Sequence, residues 1–188
     1  MRNDLLKTLT ADLYRYTGRR GLLCGLMTFL FNTGFSCTFW YRLNRWRCRT
    51  RFRRLAFWWV WLMRRRSRRI WHVDIAGDIA GGLYVGHADG GGIIINDKVK
   101  IGKNCNIHHG VTIGVKNRGK NPGVPTIGDN VYIGPGAKVF GGITIGDNVA
   151  IGANAVVATS MPDNAVVVGV PARIVSYNGS VGLVNRKV

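Results

Sequence analysis

The sequence predicts a mainly β protein, a left-handed parallel β-helix preceded by an α-helical region, on three observations. An aliphatic residue recurs at Ile95, Ile101, Ile107 and Ile113, then at Ile127, Ile133, Val139, Ile145, Ile151 and Val157, six residues apart at every step but one. Four positions after most of these stands a small or β-branched residue: Val99, Cys105, Val111, Val131, Ala137, Ile143, Val149 and Ala155. The composition also divides sharply near residue 72, so two regions of different physics are joined.

Residues 1–72 carry 16 Arg, one Lys and two Asp, and hold all six Trp, whereas 73–188 hold 22 of the 26 Gly and are nearly balanced in charge. Leu5, Leu6, Leu9 and Leu13 recur at helical spacing, and Gly18 is the expected stop. From Gly21 to Tyr41 no residue is charged, close to the ~20 that cross a bilayer. Leu55 to Met63 is wholly apolar but too short to cross. Arginine and tryptophan together suit a lipid headgroup layer. A helical hairpin on an anionic membrane surface is therefore the expectation for 1–72, peripheral on the inner face of the cytoplasmic membrane. A helical pair packed on its own oligomer is the plainer alternative. Nucleic acid is the weakest reading, because no base-reading motif accompanies the charge.

Residues 73–176 form the repeat, and 177–188 read as a C-terminal tail. Three six-residue sides close a triangular coil, with the aliphatic residue in the core and the small residue beneath a corner where Gly or Asn takes left-handed backbone angles. Cys105 falls in such a small slot and reads as core filler. Cys24, Cys37, Cys48 and Cys105 form no CxxC pair, so no metal site and no disulfide framework is expected, in keeping with a reducing cytoplasm. Met1 to Thr17 lacks the pattern of a cleavable signal peptide. All nine acids are Asp, which excludes glutamate-dyad glycosidases and the HExxH zinc helix.

Function concentrates where a regular scaffold is interrupted. Ile113 and Ile127 are 14 residues apart, so Val115 to Thr126 must leave the coil as a loop carrying Lys116, Arg118 and Lys120. Val85 and Ile95 are ten apart. Counting sides places Val85 and Ile107 one coil apart on the same face, so His87 and His109, each two residues further on, should project from one column. Two imidazoles beside a cationic loop suit base catalysis on the thioester of an anionic cofactor. His108 is expected to point elsewhere, and Asp74, Asp78 and Asp89 are candidates to orient an imidazole. Asp129, Asp147 and Asp163 read as corner residues serving the backbone.

VDI at 73–75, GGLYVGHADG at 81–90, HHGVTIG at 108–114, VPTIGDNVYIGPGAKVFG at 124–141 and GVPARIV at 169–175 resemble the hexapeptide-repeat acetyltransferases, in the branch of serine acetyltransferases and of colanic-acid and capsular-polysaccharide O-acetyltransferases. The resemblance implies acetyl-CoA as acetyl donor, a homotrimer and no metal. It implies His87 as general base and Asp74 as its orienting carboxylate, although the spacing between the two departs from the family's. It further implies Gly114 and Val115 at the loop edge, Pro135 and Ala153 on the stacked coils, and Arg173 near the nucleotide as acetyl-CoA contacts, to which the charge of the loop adds Lys116 and Arg118. His109 falls where polysaccharide-type members can carry His.

The family's Asp before the catalytic His is Gly86 here, and the Arg-His pair that reads a serine carboxylate corresponds to Gly123 and Val124. A zwitterionic acceptor would find its carboxylate unpaired there. The expected acceptor is therefore a saccharide or lipid-linked glycan in surface polysaccharide biosynthesis. Serine is the alternative, and a non-catalytic β-helix scaffold is the alternative of another class.

Overall fold

A computed structural model of the 188-residue chain describes residues 2–49 and 57–188. Residues 73 onward wind into a parallel β-solenoid of about four coils. The first coil holds β1 (Asp78–Ile79), β2 (Tyr84–Gly86) and β3 (Ile94–Ile95), and the second β4 (Lys100–Ile101), β5 (Asn106–His108) and β6 (Thr112–Gly114). The third holds β7 (Thr126–Ile127), β8 (Tyr132–Ile133) and β9 (Lys138–Phe140), and the fourth β10 (Thr144–Ile145), β11 (Ala150–Ile151) and β12 (Val156–Val157). Stacking makes three faces: β1-β4-β7-β10, then β2-β5-β8-β11, then β3-β6-β9-β12. β13 (Val166–Val168) extends the second face, and β14 (Arg173–Ser176) closes it by antiparallel pairing.

The six-residue period does what its chemistry requires. Every aliphatic residue from Ile95 to Val157, and every small residue from Val99 to Ala155 in the series above, is at most 3 % exposed. Cys105 is wholly buried, and burial pushes its thiol up to about 12, so it is inert core. At the corner between the first and second faces Asn104, Asn130 and Asn148 take φ of 56–57°. Their side chains form a ladder, Asn104 Nδ2 donating to Asn130 Oδ1 and Asn130 Nδ2 to Asn148 Oδ1, both at 3.1 Å. Asp129 and Asp147 accept from the backbone N–H of Lys103 and Asp129 in the preceding coil, at 2.7 Å each, as corner residues should.

Among the described residues the N-terminal region holds α1 (Arg2–Thr17), α2 (Leu22–Phe31), α3 (Thr33–Arg49) and α4 (Phe57–Ile70). The uncharged run 21–41 divides at Asn32, whose Oδ1 accepts the Phe35 N–H at 2.9 Å and so starts a new helix. The chain bends by 112° between α2 and α3, and no single described helix is long and apolar enough to cross a membrane. α3 packs on the solenoid instead, with Cys37 and Tyr41 joining its core and Tyr41 Oη donating to Gly77 O at 3.0 Å. Residues 50–56, with the start of the 55–63 apolar run and part of the Arg-rich stretch, lie outside the described residues.

Composition placed the arginines in lipid or solvent, yet Arg15, Arg42 and Arg47 are buried. Arg42 grips Asp12 through Nε at 2.7 Å and Nη2 at 3.1 Å, and also donates to Ala80 O. Asp12 Oδ1 in turn accepts the N–H groups of Gly82 and Leu83, each at 2.8 Å. One buried ion pair thus fastens α1, α3 and the first coil together. Residues 177–188 run back along the second face: Ser180 Oγ donates to Asn130 O at 2.6 Å, Asn106 Nδ2 to Leu183 O at 2.9 Å, and Arg186 Nη1 to Tyr16 O at 2.6 Å.

Candidate active site

The strand register fixes the site. Val85, Ile107, Ile133 and Ile151 stack in the second face, and His109, Pro135 and Ala153, two positions past the last three, stand one above another down the corner that leads to the third face. The expected place of His87 over His109 is taken by Gly91, whose carbonyl accepts the Gly110 N–H, because residues 87–90 bulge out of the coil; His87 stands in that bulge beside the column. The rings of His87 and His109 are 6.1 Å apart, edge to face. His87 itself is exposed and adopts left-handed backbone angles, φ 52° and ψ 48°, where the chain enters a 3-10 turn at Ala88–Gly90. Such angles cost a non-glycine residue roughly 1–3 kcal/mol and cluster at functional sites. The ten-residue step from Val85 to Ile95 is this widened corner.

His108 differs from its expected place. Its ring lies 6.3 Å from that of His87 and 5.0 Å from that of Tyr132, so three imidazoles share the corner. Residue 108 points outward from the second face directly beside Gly86, and the absent side chain at 86 leaves room for the imidazole. Burial, then the neighbouring His87 and His109, hold its pKa below the ordinary histidine value. His108 Nε2 and His109 Nδ1 are both buried without a hydrogen-bond partner. The clue available in the sequence was the pairing of Gly86 with His108 across one coil.

Asp74 stands on the third face, bridged to Ile94, with its carboxylate 3.7 Å from Arg68 Nη1. Asp78 pairs with Arg45, and Asp89 lies exposed in the 3-10 turn. The histidine corner bounds one edge of the third face, and the basic loop bounds the other. Gly114 ends β6, Val115 is exposed, and Lys116 and Gly123 exchange backbone hydrogen bonds at 2.8 and 2.9 Å, which closes the loop as a finger. Arg118 and Lys120 are exposed at its tip, and Asn121 O accepts the Gly142 N–H at 2.9 Å to tie the tip to the next coil. Between the two edges Lys138 Nζ donates to Gly110 O and, at 3.2 Å, to Thr112 Oγ1, so a cation lies on the floor. Arg173 is exposed in β14, its Nη1 donating to Ala172 O at 3.1 Å. No group of three or more metal-ligating side chains occurs among the described residues.

A histidine corner, a cationic finger and a coil-stacked floor on this fold define an acyl-transfer class of hexapeptide protein, and comparison with known proteins refines it. The family described as "Bacterial transferase hexapeptide (six repeats)" matches residues 125–159. The serine acetyltransferase of Staphylococcus xylosus is 46 % identical over 97 residues, 52 % of this chain and 44 % of that protein. The chain thus matches less than half the length of such curated relatives. The crystal structure of Neisseria gonorrhoeae serine acetyltransferase in complex with serine superposes with a TM-score of 0.73 at 30 % identity, over 93 % of this chain and 70 % of that one. The Brucella abortus serine acetyltransferase in complex with coenzyme A gives 0.72 at 29 % identity, over 95 % and 68 %. The chain therefore belongs to the hexapeptide-repeat acetyltransferase family, in the branch that holds the serine acetyltransferases.

These relatives overturn the expected saccharide or lipid-linked glycan acceptor, and with it polysaccharide biosynthesis: the proteins matched are serine acetyltransferases. Positions 86, 123 and 124 do not exhaust the charges near the histidines. The folded chain brings Arg15 and Arg186 to the cavity that His108 lines, through contacts across more than sixty residues.

Proposed function

We propose that the protein is an acetyl-CoA-dependent serine O-acetyltransferase. The observation that carries this reading is His87, its ring 6.1 Å from that of His109, at the head of the corner where His109, Pro135 and Ala153 stack, in a fold that superposes on a relative holding serine and on another holding coenzyme A. Acetyl-CoA supplies an acetyl group activated as a thioester. His87, exposed at the corner, takes the proton of the serine hydroxyl as that oxygen attacks the carbonyl, and returns it to the departing thiolate. Burial disfavours the charged form of His108 beside the base. Lys116, Arg118 and Lys120 attract the phosphates of the donor, and Lys138 gives the floor a positive charge. His109, its ring 6.1 Å from that of His87, acts as a positioning residue beside the base. The active unit is a homotrimer, with the third face and its corner turned toward a neighbouring subunit; light scattering on purified protein tests this.

Thiol release from acetyl-CoA with L-serine as acceptor tests the reading. His87→Ala should lower kcat about 10²–10⁴-fold. Near-normal turnover in that variant would remove His87 from the role.

The helical region supports an association with anionic membrane. α2 has no buried residue and exposes Leu22, Leu23, Leu26, Met27, Leu30 and Phe31, while α4 exposes Trp58, Trp59 and Leu62 and continues into Arg65, Arg66, Arg68 and Arg69. An apolar face ending in arginines matches a headgroup layer in charge and depth. Flotation with vesicles containing anionic lipid should carry the protein at moderate salt. Failure to float, together with a mass above that of a trimer, would assign the surface to self-association instead.

A further inference from the structure

A cavity of about 340 Å³ opens on the outer side of the second face, between the C-terminal end of α1 and the returning C-terminal segment. Such a volume suits a small molecule. Arg15, Tyr84, Asn106, His108, Tyr132 and Arg186 are among the residues that line it, and no acid is among them. Arg15 is only 4 % exposed. Its Nε donates to Gly82 O at 3.1 Å and its Nη2 to Asn104 O at 3.4 Å and to Asn106 Oδ1, while Nη1 is buried with no partner. Asp12, one helical turn earlier, is committed to Arg42 and the first coil. A buried guanidinium thus reaches this cavity with one donor unmet, and burial lowers its pKa as expected for a cation short of counter-charge. Arg186 brings a second guanidinium to the same space, held there by Nη1 donating to Tyr16 O. His108, whose Nε2 is also unmet, joins the cavity to the His87 corner at 6.3 Å between rings.

We propose that this cavity receives the carboxylate of the amino-acid acceptor, with Arg15 and Arg186 as the residues that read it and His108 at the passage to His87. The inference rests on the serine reading and supplies what Gly86, Gly123 and Val124 lack: cations for the acceptor's carboxylate, drawn from the two ends of the chain. A guanidinium pair selects a planar anion over a neutral amide of the same shape. Arg15 and Arg186 are specificity residues, and their effect should fall on acceptor KM while the donor is bound unchanged.

The test compares L-serine with L-serinamide as acceptors for wild type, Arg15→Lys, Arg15→Gln and Arg186→Gln, with thermal unfolding of each variant to confirm the fold. Wild type should favour serine by tenfold or more in kcat/KM. Arg15→Gln and Arg186→Gln should raise KM for serine by about tenfold, leave serinamide and acetyl-CoA kinetics unchanged, and so remove the preference; Arg15→Lys should keep part of it. An undiminished preference in Arg186→Gln and in either folded Arg15 variant overturns the inference. Turnover of neither acceptor by wild type contradicts the serine reading itself. Calorimetric titration with sodium acetate then decides the cavity alone: binding lost in Arg186→Gln supports a carboxylate site, and no binding by wild type rejects it.

Discussion

The imidazole of His108 fills the space above the α-carbon of Gly86: a β-carbon at position 86 would stand 2.7 Å from His108 Nδ1 and 2.8 Å from Cε1. A glycine on one coil therefore makes room for a histidine on the next. Gly86→Ala should cost about 1–3 kcal/mol through overpacking, read by urea unfolding. Most of that cost should vanish when His108 is also changed to Ala. An equal cost in both backgrounds would mean that Tyr84, whose Cε1 would lie 3.3 Å away, is the true obstacle.

His108 also predicts a pH dependence of stability. Its folded pKa lies below the ordinary value of 6.5, with burial as the leading cause and His87 and His109 next. Below about pH 6.5 the unfolded chain binds a proton that the folded chain resists, so the contribution is full above that pH and declines as pH falls through the folded pKa. The Tm of the wild type should fall on acidification from pH 7 to 5, and His108→Gln should flatten that decline. An unchanged slope in the variant would assign the acid sensitivity to other groups.

Asp12 and Arg42 hold the helical region to the solenoid. Asp12→Asn keeps an oxygen for the Gly82 and Leu83 N–H groups but leaves Arg42 buried without its counter-charge. Breaking a buried pair in this way costs about 3–5 kcal/mol. Denaturant unfolding should show that loss, and a change below about 1 kcal/mol, the range of exposed pairs, would mean the pair is solvated.

The repeat and its corner were legible in the sequence because each depends on local periodicity. Ile107 follows Ile101 by six residues whatever the rest of the chain does; the count from Val85 to Ile107 brings His87 to the corner of His109, but the bulge at 87–90 sets it beside the column, where Gly91 takes the stacked place. His108 was misplaced because strict alternation was applied at a corner, where the strand ends and the chain turns, so successive residues both reach the same edge. Arg15, Arg42 and Asp12 were illegible for a different reason. Their partners at Gly82, Ile79 and Asn106 lie 37 to 91 residues away, and only tertiary packing turns an arginine-rich segment from a surface into a clasp. The break inside the 21–41 run was not legible from its length, since Asn32 makes it through a side-chain bond that composition does not weigh.

The basic finger between Lys116 and Gly123 should serve the donor. Changing Lys116, Arg118 and Lys120 together to Ala should raise KM for acetyl-CoA several-fold with kcat within about twofold, and the effect should shrink as salt is raised. An altered serine KM with an unchanged acetyl-CoA KM would place the finger against the acceptor.

The central claim is acetyl transfer to the hydroxyl of serine by the His87 corner. Incubating the purified full chain with acetyl-CoA carrying a 13C-labelled acetyl group and L-serine, and following the products by NMR and mass spectrometry, tests it most directly. O-acetylserine should accumulate in step with free CoA and nearly disappear with His87→Ala. Labelled acetyl that never reaches serine under conditions where CoA is released would contradict the account.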